Sequence, residues 1–222
     1  LKMKTTTPLT FQQISEKLNI YPANKIGKSP DGFREAAVLL PLVEISGQIH
    51  VLLTRRTLEV KTHKGQVAFP GGMMDPEDQT LEQTALRETH EEIEIAPEHI
   101  SILGHLNDRL TISDFLVRPY VGIIRKLHEG TLHLKNQEIE RVFTVPLDWL
   151  ANPEKVRIER WERQKFIKLM HFWHYDNEII WGMSAEVIAE LVEVLYGRER
   201  FEKVPVSPTT MEEFLAVLNT QH

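Results

Sequence analysis

Three glutamates, Glu88, Glu91 and Glu92, stand at offsets of three and four within RETHEEIEI, Arg87 to Ile95. On a helix these offsets put all three carboxylates on one face. Like charges placed this way repel by about 0.2–0.5 kcal/mol per pair on a solvated surface. That cost is small, so a plain polar helix face is one reading. The other is a hard-cation site. Carboxylates from adjacent turns suit Mg²⁺ or Mn²⁺, which prefer oxygen donors, and Mg²⁺ keeps several waters and takes substrate phosphates as further ligands. A cation would also supply positive charge for an anionic substrate in a chain whose formal net charge is -6. His90 stands among the glutamates, but imidazole suits Mg²⁺ poorly, so it reads as an exposed polar residue.

The helix that must carry these groups is bounded by its own signals. Thr80 with Gln83 forms a capping box, and helical spacing continues to about Ile93. Leu86, Thr89 and Ile93 fall opposite the carboxylates and can pack inward. Upstream lies LEVKTHKGQVAFPGGMMDPEDQ, a long Gly-bearing loop around the short apolar piece Val67–Phe69. Loops of this length are often functional. Gly71 and Gly72 allow positive φ and close backbone approach to a ligand, or simply a tight turn. Arg55, Arg56, Lys61, His63 and Lys64 precede the glycines. They are either a solvated loop or, in part, phosphate-gripping groups.

Around this segment the chain alternates without strict βαβ order. LTFQQISEKL reads as a short helix capped by Thr10 and Gln13, and the Pro/Gly-bearing IYPANKIGKSPDG as a linker. REAAVLLPLVEI and IHVLLTRR read as strands joined by a hairpin at SGQ. ISILGHLN, FLVRPYVGIIRKL and EIERVFTVPL are strand-like. KFIKLMHFWHYDNEIIWG reads as a hairpin turning at Asp176–Asn177, SAEVIAELVEVLYGR as an amphipathic helix, and TTMEEFLAVL as a last helix. Residues 1–33 are expected to be an appended helix and linker and residues 34–222 one mixed α/β domain. The chain has 222 residues and no cysteine, which excludes disulfides and thiolate metal sites and fits a reducing cytosol. AAVLLPLV is too short an apolar run to span a bilayer, and LKMKTTTPLT lacks the apolar core of a secretory signal. A cytoplasmic protein with no membrane partner is expected. The mild acidity argues against nucleic acid as a partner.

Gly72, Arg87, Glu88, Glu91, Glu92 and Ile95 together resemble the Nudix box, G-x5-E-x7-R-E-U-x-E-E-x-G-U, with U a bulky aliphatic residue. Asp78 stands where the first glutamate belongs, and the spacing from Gly72 to Arg87 is one residue longer. Thr89 replaces the aliphatic residue and Glu94 the final glycine. LLTRRTLEVKTHKGQVAFPGG, Leu52 to Gly72, resembles the motif L-L-T-x-R-S-x3-R-x3-G-x3-F-P-G-G of coenzyme A pyrophosphatases. There Thr57 stands for Ser and Lys61 for Arg. LTISDFLVRPYVG, NQEIERVFTVPL and IIWGMSAEVIAEL resemble the same branch, so the resemblance runs roughly from Arg34 to Leu195.

The resemblance implies an α/β/α sandwich with a mixed β-sheet between helices. It also implies metal-dependent hydrolysis of a pyrophosphate in a small-molecule nucleotide, with coenzyme A or an acyl derivative giving 3',5'-ADP and 4'-phosphopantetheine. Glu88, Glu91 and Glu92 would hold Mg²⁺ or Mn²⁺, with more than one ion once the diphosphate arrives. The base would be Glu138, approaching from a separate loop, or one of the helix glutamates. Arg87 would orient a carboxylate, since a guanidinium stays protonated. Arg56 and Lys61 would grip phosphate, and Gly71 and Gly72 would bring backbone beside it. ADP-ribose, nucleoside diphosphate sugars and dinucleotides are alternative substrates, and a non-catalytic nucleotide-binding module is a third reading. The four tryptophans are candidates for stacking on adenine, with core packing favoured for Trp181. Homodimers are common in the superfamily, which leaves a homodimer open here.

Overall fold

The computed structural model describes residues 8–58, 64–111, 113–125, 138–163 and 166–208. The chain divides into two compact units, 1–148 and 149–222. The first opens with α1 (Phe11–Ile20), whose N-terminus carries the full reciprocal box of Thr10 and Gln13. Ile14 and Leu18 are buried on its inner side, which packs on β5 (Ile100–His105).

The long strand β1 (Arg34–Ile45) is buried without a break from Ala36 to Val43. Such a run marks a strand covered on both faces. It pairs antiparallel with β2 (Gln48–Arg56) through Ser46 and Gly47, whose φ values of 51° and 78° are those a two-residue hairpin of right-handed strands requires. β3 (Val67–Ala68) pairs with β2, and β4 (Gly71–Met73) with β1. The segment expected to be one long loop is therefore stitched to the sheet at two points, and the glycine pair lies within a strand.

α2 (Leu81–Ile93) follows, at the length its spacing predicted. Thr80 Oγ1 accepts the Gln83 N–H, but the Gln83 side chain accepts from Gln79 rather than Thr80, so the expected box is half made. β5, β6 (Arg109–Leu110), β7 (Phe115–Ile124) and β8 (Ile139–Pro146) complete the unit. The sheet runs β3-β2-β1-β7-β5, with β8 paired to β2. The β1–β7 pair is parallel and its neighbours antiparallel, so the sheet is mixed. α2 packs Leu81, Ala85 and Ile93 against Ala37, Leu39, Leu52 and Tyr120. Thr89 is fully buried where an aliphatic residue would be expected, and its hydroxyl donates to the Ala85 carbonyl at 2.6 Å, which satisfies it inside the core.

A one-turn helix, α3 (Leu147–Leu150), leads into the second unit. There β9 (Val156–Arg163), β10 (Phe166–Tyr175), β11 (Glu178–Ile180) and β12 (Val206–Pro208) form a sheet of order β11-β10-β9-β12, with α4 (Gly182–Tyr196) packed on β10. The β10–β11 hairpin turns at Asp176–Asn177 as expected, with Asp176 at φ 50°. Trp161 and Trp173 are buried here, their indole N–H groups donating to Glu159 and the Leu150 carbonyl. Trp181 packs beside Trp161 and Phe172, the core role expected of it. The chain is thus α+β with a mixed sheet. Among the described residues no helix is long and apolar enough to cross a membrane. The helix expected in TTMEEFLAVL lies outside the described residues.

Candidate active site

Arg87 organises one side of α2. Its Nε and Nη2 donate to Asp78 Oδ1 and Oδ2 at 3.1 and 3.0 Å, and Nη2 also reaches the Met73 carbonyl at 3.0 Å. Nη1 donates to Glu88 at 3.0 Å and to Glu91 at 3.3 Å. Every guanidinium nitrogen thus has an acceptor within the protein. Asp78, in the place of the motif's first glutamate, is the main anchor. It also accepts the Asp75 N–H and the Thr84 hydroxyl, both at 2.9 Å. The Arg87 hydrogen bonds hold its carboxyl down at about 2.

The other side of the helix is different. Glu92 is buried, its side chain 7% exposed, while Glu88 is 18% and Glu91 54% exposed. The helical wheel puts the three on one face. Packing separates them: Glu92 lies beneath the sheet edge, and Glu91 lies outside, held by Arg87. Burial, and secondarily the charge of Glu88, pushes Glu92 up to about 8, against the pull of Arg56 and the Gly71 N–H. Burial also raises Glu88, with Arg87 opposing it.

The two glycines are required by this arrangement. A Cβ at Gly72 would run into the Glu88 carboxylate, with its carboxyl carbon at 2.5 Å. At Gly71, φ is 155°, and a Cβ would overlap the β1 backbone, 2.6 Å from Val38 Cα. The Gly71 N–H donates to Glu92 at 3.3 Å. β4 therefore lies against Glu88 and buried Glu92 through residues that have no side chain to interpose.

Arg56 joins the helix to a distant part of the chain. A register irregularity between Arg55 and Arg56 re-aims it from the β2–β8 ladder. Its Nη2 donates to Glu138 Oε2 at 2.8 Å, and its Nη1 stands 3.9 Å from Glu92 Oε1. The structure thus brings together Arg56, Gly71, Gly72, Glu88, Glu92 and Glu138, with Arg87 and Glu91 alongside. Lys61 and His63 lie outside the described residues.

A divalent cation fits these residues chemically: the donors are carboxylate oxygens, and buried Glu92 lacks a full countercharge. Among the described residues no three His, Asp or Glu side chains stand together as a ready cage. A hard cation that keeps waters and borrows phosphate oxygens does not need one. The sequence reading left Asp78 without a role, although its match to the motif position was the available signal. Asp75, whose carboxylate stands 3.7 Å from Arg87, gave no signal.

A carboxylate-bearing helix lies against a strand that opens on two glycines, with a partly buried arginine between two glutamates, and this donor set suits a hard cation and an anionic substrate. A family model described as NUDIX domain matches residues 32–169. The Nudix hydrolase NudL of Photorhabdus laumondii is 36% identical over 164 residues, covering 73% of this chain and 86% of its own. NudL of Enterobacter sp. is 41% identical over 162 residues, covering 71% and 81%. Nudix hydrolase 3 of Caenorhabditis elegans is 33% identical over 203 residues, covering 83% and 84%. Among solved structures, a Nudix hydrolase from Alicyclobacillus acidocaldarius aligns over 55% of this chain and 83% of that one, at 22% identity and a TM-score of 0.45. The chain belongs to the Nudix family. It is a pyrophosphohydrolase acting on a small-molecule nucleotide substrate, in a family that generally uses divalent metals such as Mg²⁺ or Mn²⁺.

Proposed function

We propose that this enzyme hydrolyses the pyrophosphate of coenzyme A or an acyl-coenzyme A, giving 3',5'-ADP and 4'-phosphopantetheine or its acyl form. The observation that carries this reading is Arg56. It falls on the position of the coenzyme A pyrophosphatase motif spanning Leu52–Gly72, and it stands between Glu92 and Glu138. The motif holds together physically: Thr54 Oγ1 donates to the Ala68 carbonyl at 3.0 Å, tying β2 to the segment that ends in Gly71 and Gly72.

Glu88 and Glu92 would hold the divalent ion, with Glu91 as a further ligand once Arg87 releases it. When bound, the ion supplies Lewis acidity and positive charge to the diphosphate. The protein's own groups do the rest. Gly71 and Gly72 let phosphate approach the backbone. Arg56 and Lys61 meet phosphate oxygens. Arg87 keeps Glu88 oriented and takes no proton. Glu138, or one of the helix glutamates, takes a proton from the attacking water as its oxygen bonds to phosphorus. The bridging P–O bond breaks, and the departing phosphate keeps the electron pair.

The experiment is a substrate panel in Mg²⁺ or Mn²⁺ with products identified by mass: coenzyme A, acetyl-coenzyme A, ADP-ribose, a nucleoside diphosphate sugar and a dinucleotide. Coenzyme A compounds should give the highest kcat/KM, and a chelator should abolish turnover. Preference for ADP-ribose or a dinucleotide would replace this substrate. Absence of metal-dependent turnover of every member would leave only a nucleotide-binding module.

A further inference from the structure

A cleft of about 520 Å³ lies at the N-terminal end of α2, apart from the carboxylate cluster. Met74 and Leu81 give it an apolar wall, Glu35 and Glu82 two carboxylates, and Arg118 and Tyr120 line it from β7. Its electrostatics turn on a residue outside it. The Asp108 side chain is fully buried, and its two oxygens accept from Arg118 Nε and Nη2 at 2.7 Å each. Asp108 Oδ2 also accepts the Ile26 N–H at 2.7 Å, so the linker after α1 closes over the pair. The Arg118 charge is thereby answered inside the protein. Glu35 and Glu82 remain, and the cleft carries net negative charge. Thr80 caps the first turn of α2 and Glu82 opposes its dipole, so the helix end does not reverse that sign.

The cleft is within reach of the reaction centre. Met74 lies two residues beyond Gly72, about 7 Å along an extended chain and on the same side of it. The Met74 N–H continues the pairing with β1 by donating to the Glu35 carbonyl at 2.9 Å. On the helix, Glu82 precedes Glu88 by about 9 Å. A diphosphate beside Gly72 and Glu88 can therefore send one of its two substituents into the cleft. Charge decides which one. A nucleoside bearing a further phosphate dianion is repelled by Glu35 and Glu82. An uncharged chain with amide N–H groups finds two carboxylate acceptors and an apolar wall.

We propose that this cleft is the subsite for the uncharged, amide-bearing pantetheine arm of the substrate, with Glu35 and Glu82 accepting its N–H groups and Met74 and Leu81 against its branched methyl groups. Asp108 is a positioning residue, neutralising Arg118 so that the cleft does not attract phosphate. This rests on the coenzyme A reading above, and the test separates the two. Pantetheine, which has no phosphate, is titrated calorimetrically into the full-length parent and into Glu82→Lys and Glu35→Lys. Both positions are exposed, so neither change threatens the fold. The parent should bind saturably, and each variant should bind at least tenfold more weakly. In steady state, the ratio of kcat/KM for coenzyme A to that for ADP-ribose should fall about tenfold in each variant, mainly through KM. If pantetheine binds and Glu82→Lys abolishes binding while coenzyme A is not hydrolysed, the subsite stands and the assigned activity falls. If the parent shows no saturable pantetheine binding, or both variants bind it as the parent does, the subsite is overturned whatever the activity.

Discussion

Two arginines border the glutamate helix, and their surroundings are opposites. Arg87 gives its donors to Asp78, Glu88, Glu91 and a backbone carbonyl, and Asp78 is in turn fully engaged. Each Arg87 donor nitrogen there is matched by an acceptor within the protein, and the Asp78 carboxyl is held far below its ordinary range. Among the described residues Arg56 has one close partner, exposed Glu138, and only a 3.9 Å approach to buried Glu92. Glu92 is left with a weak N–H bond and an elevated proton affinity. Closed networks of this kind hold geometry, whereas a buried carboxylate without a full countercharge marks a candidate functional group.

The sharpest way to break this contrast is Glu92→Gln. Activity should fall by about 100-fold or more if Glu92 is a metal ligand, while the metal-free melting temperature holds or rises. The pH dependence gives a second reading. Because the folded pKa of Glu92 is raised to about 8, the native state keeps a proton that the unfolded chain loses near its ordinary carboxyl pKa. Metal-free stability should therefore decline as pH rises from roughly 4.5 to 8. Denaturant melts across that window should show the decline in the parent and not in Glu92→Gln. Excess Mg²⁺ should stabilise only the parent.

Asp78→Asn tests the closed side. It should cost about 2 kcal/mol of stability by unpairing Arg87, measured by urea unfolding at neutral pH. The sign with pH is opposite to that of Glu92. The Asp78 pKa is depressed, so its contribution is present above the ordinary carboxyl pKa and is lost as pH falls from about 4 to about 2. A variant as stable as the parent would mean that Arg87 is held by its other partners. Arg56→Lys should have a smaller effect, about tenfold in kcat/KM, because an ammonium cannot span Glu138 and Glu92 as a planar fork does. An equal rate would reduce Arg56 to a point charge.

The smallest expected effect is at the helix exit. Glu94, where the motif has glycine, is held at φ 58° and closes α2 through its N–H to the His90 carbonyl. Glu94→Gly should stabilise the fold by about 0.5–1 kcal/mol by relieving a left-handed conformation. Loss of stability would show that the Glu94 side chain contributes more than the strain costs.

Much of this was legible from residue types and spacing. The length of α2 and the turns at Ser46–Gly47 and Asp176–Asn177 are local consequences of helical period and hairpin twist, whereas the substitution of Glu94 for the motif's glycine left open whether the helix exit keeps a positive φ, which the structure shows it does. The motif gave Arg87, Glu88, Glu92 and the glycine pair. What spacing could not reveal is that Gly71 and Gly72 sit in a strand. Their environment is the β1 backbone, which approaches only when the sheet forms. The cleft beside Arg118 was equally hidden, since its character depends on Asp108, a residue with no motif to mark it.

The sequence by itself determined that three carboxylates share a helix, that an arginine precedes them, and that two glycines can approach them, because those properties follow from short-range geometry. Only the tertiary structure decided which glutamate is buried, which arginine is saturated, and that Arg56 meets Glu138, 82 residues away. Burial and charge balance depend on which segments the folded sheet brings into contact, and no local period encodes that choice.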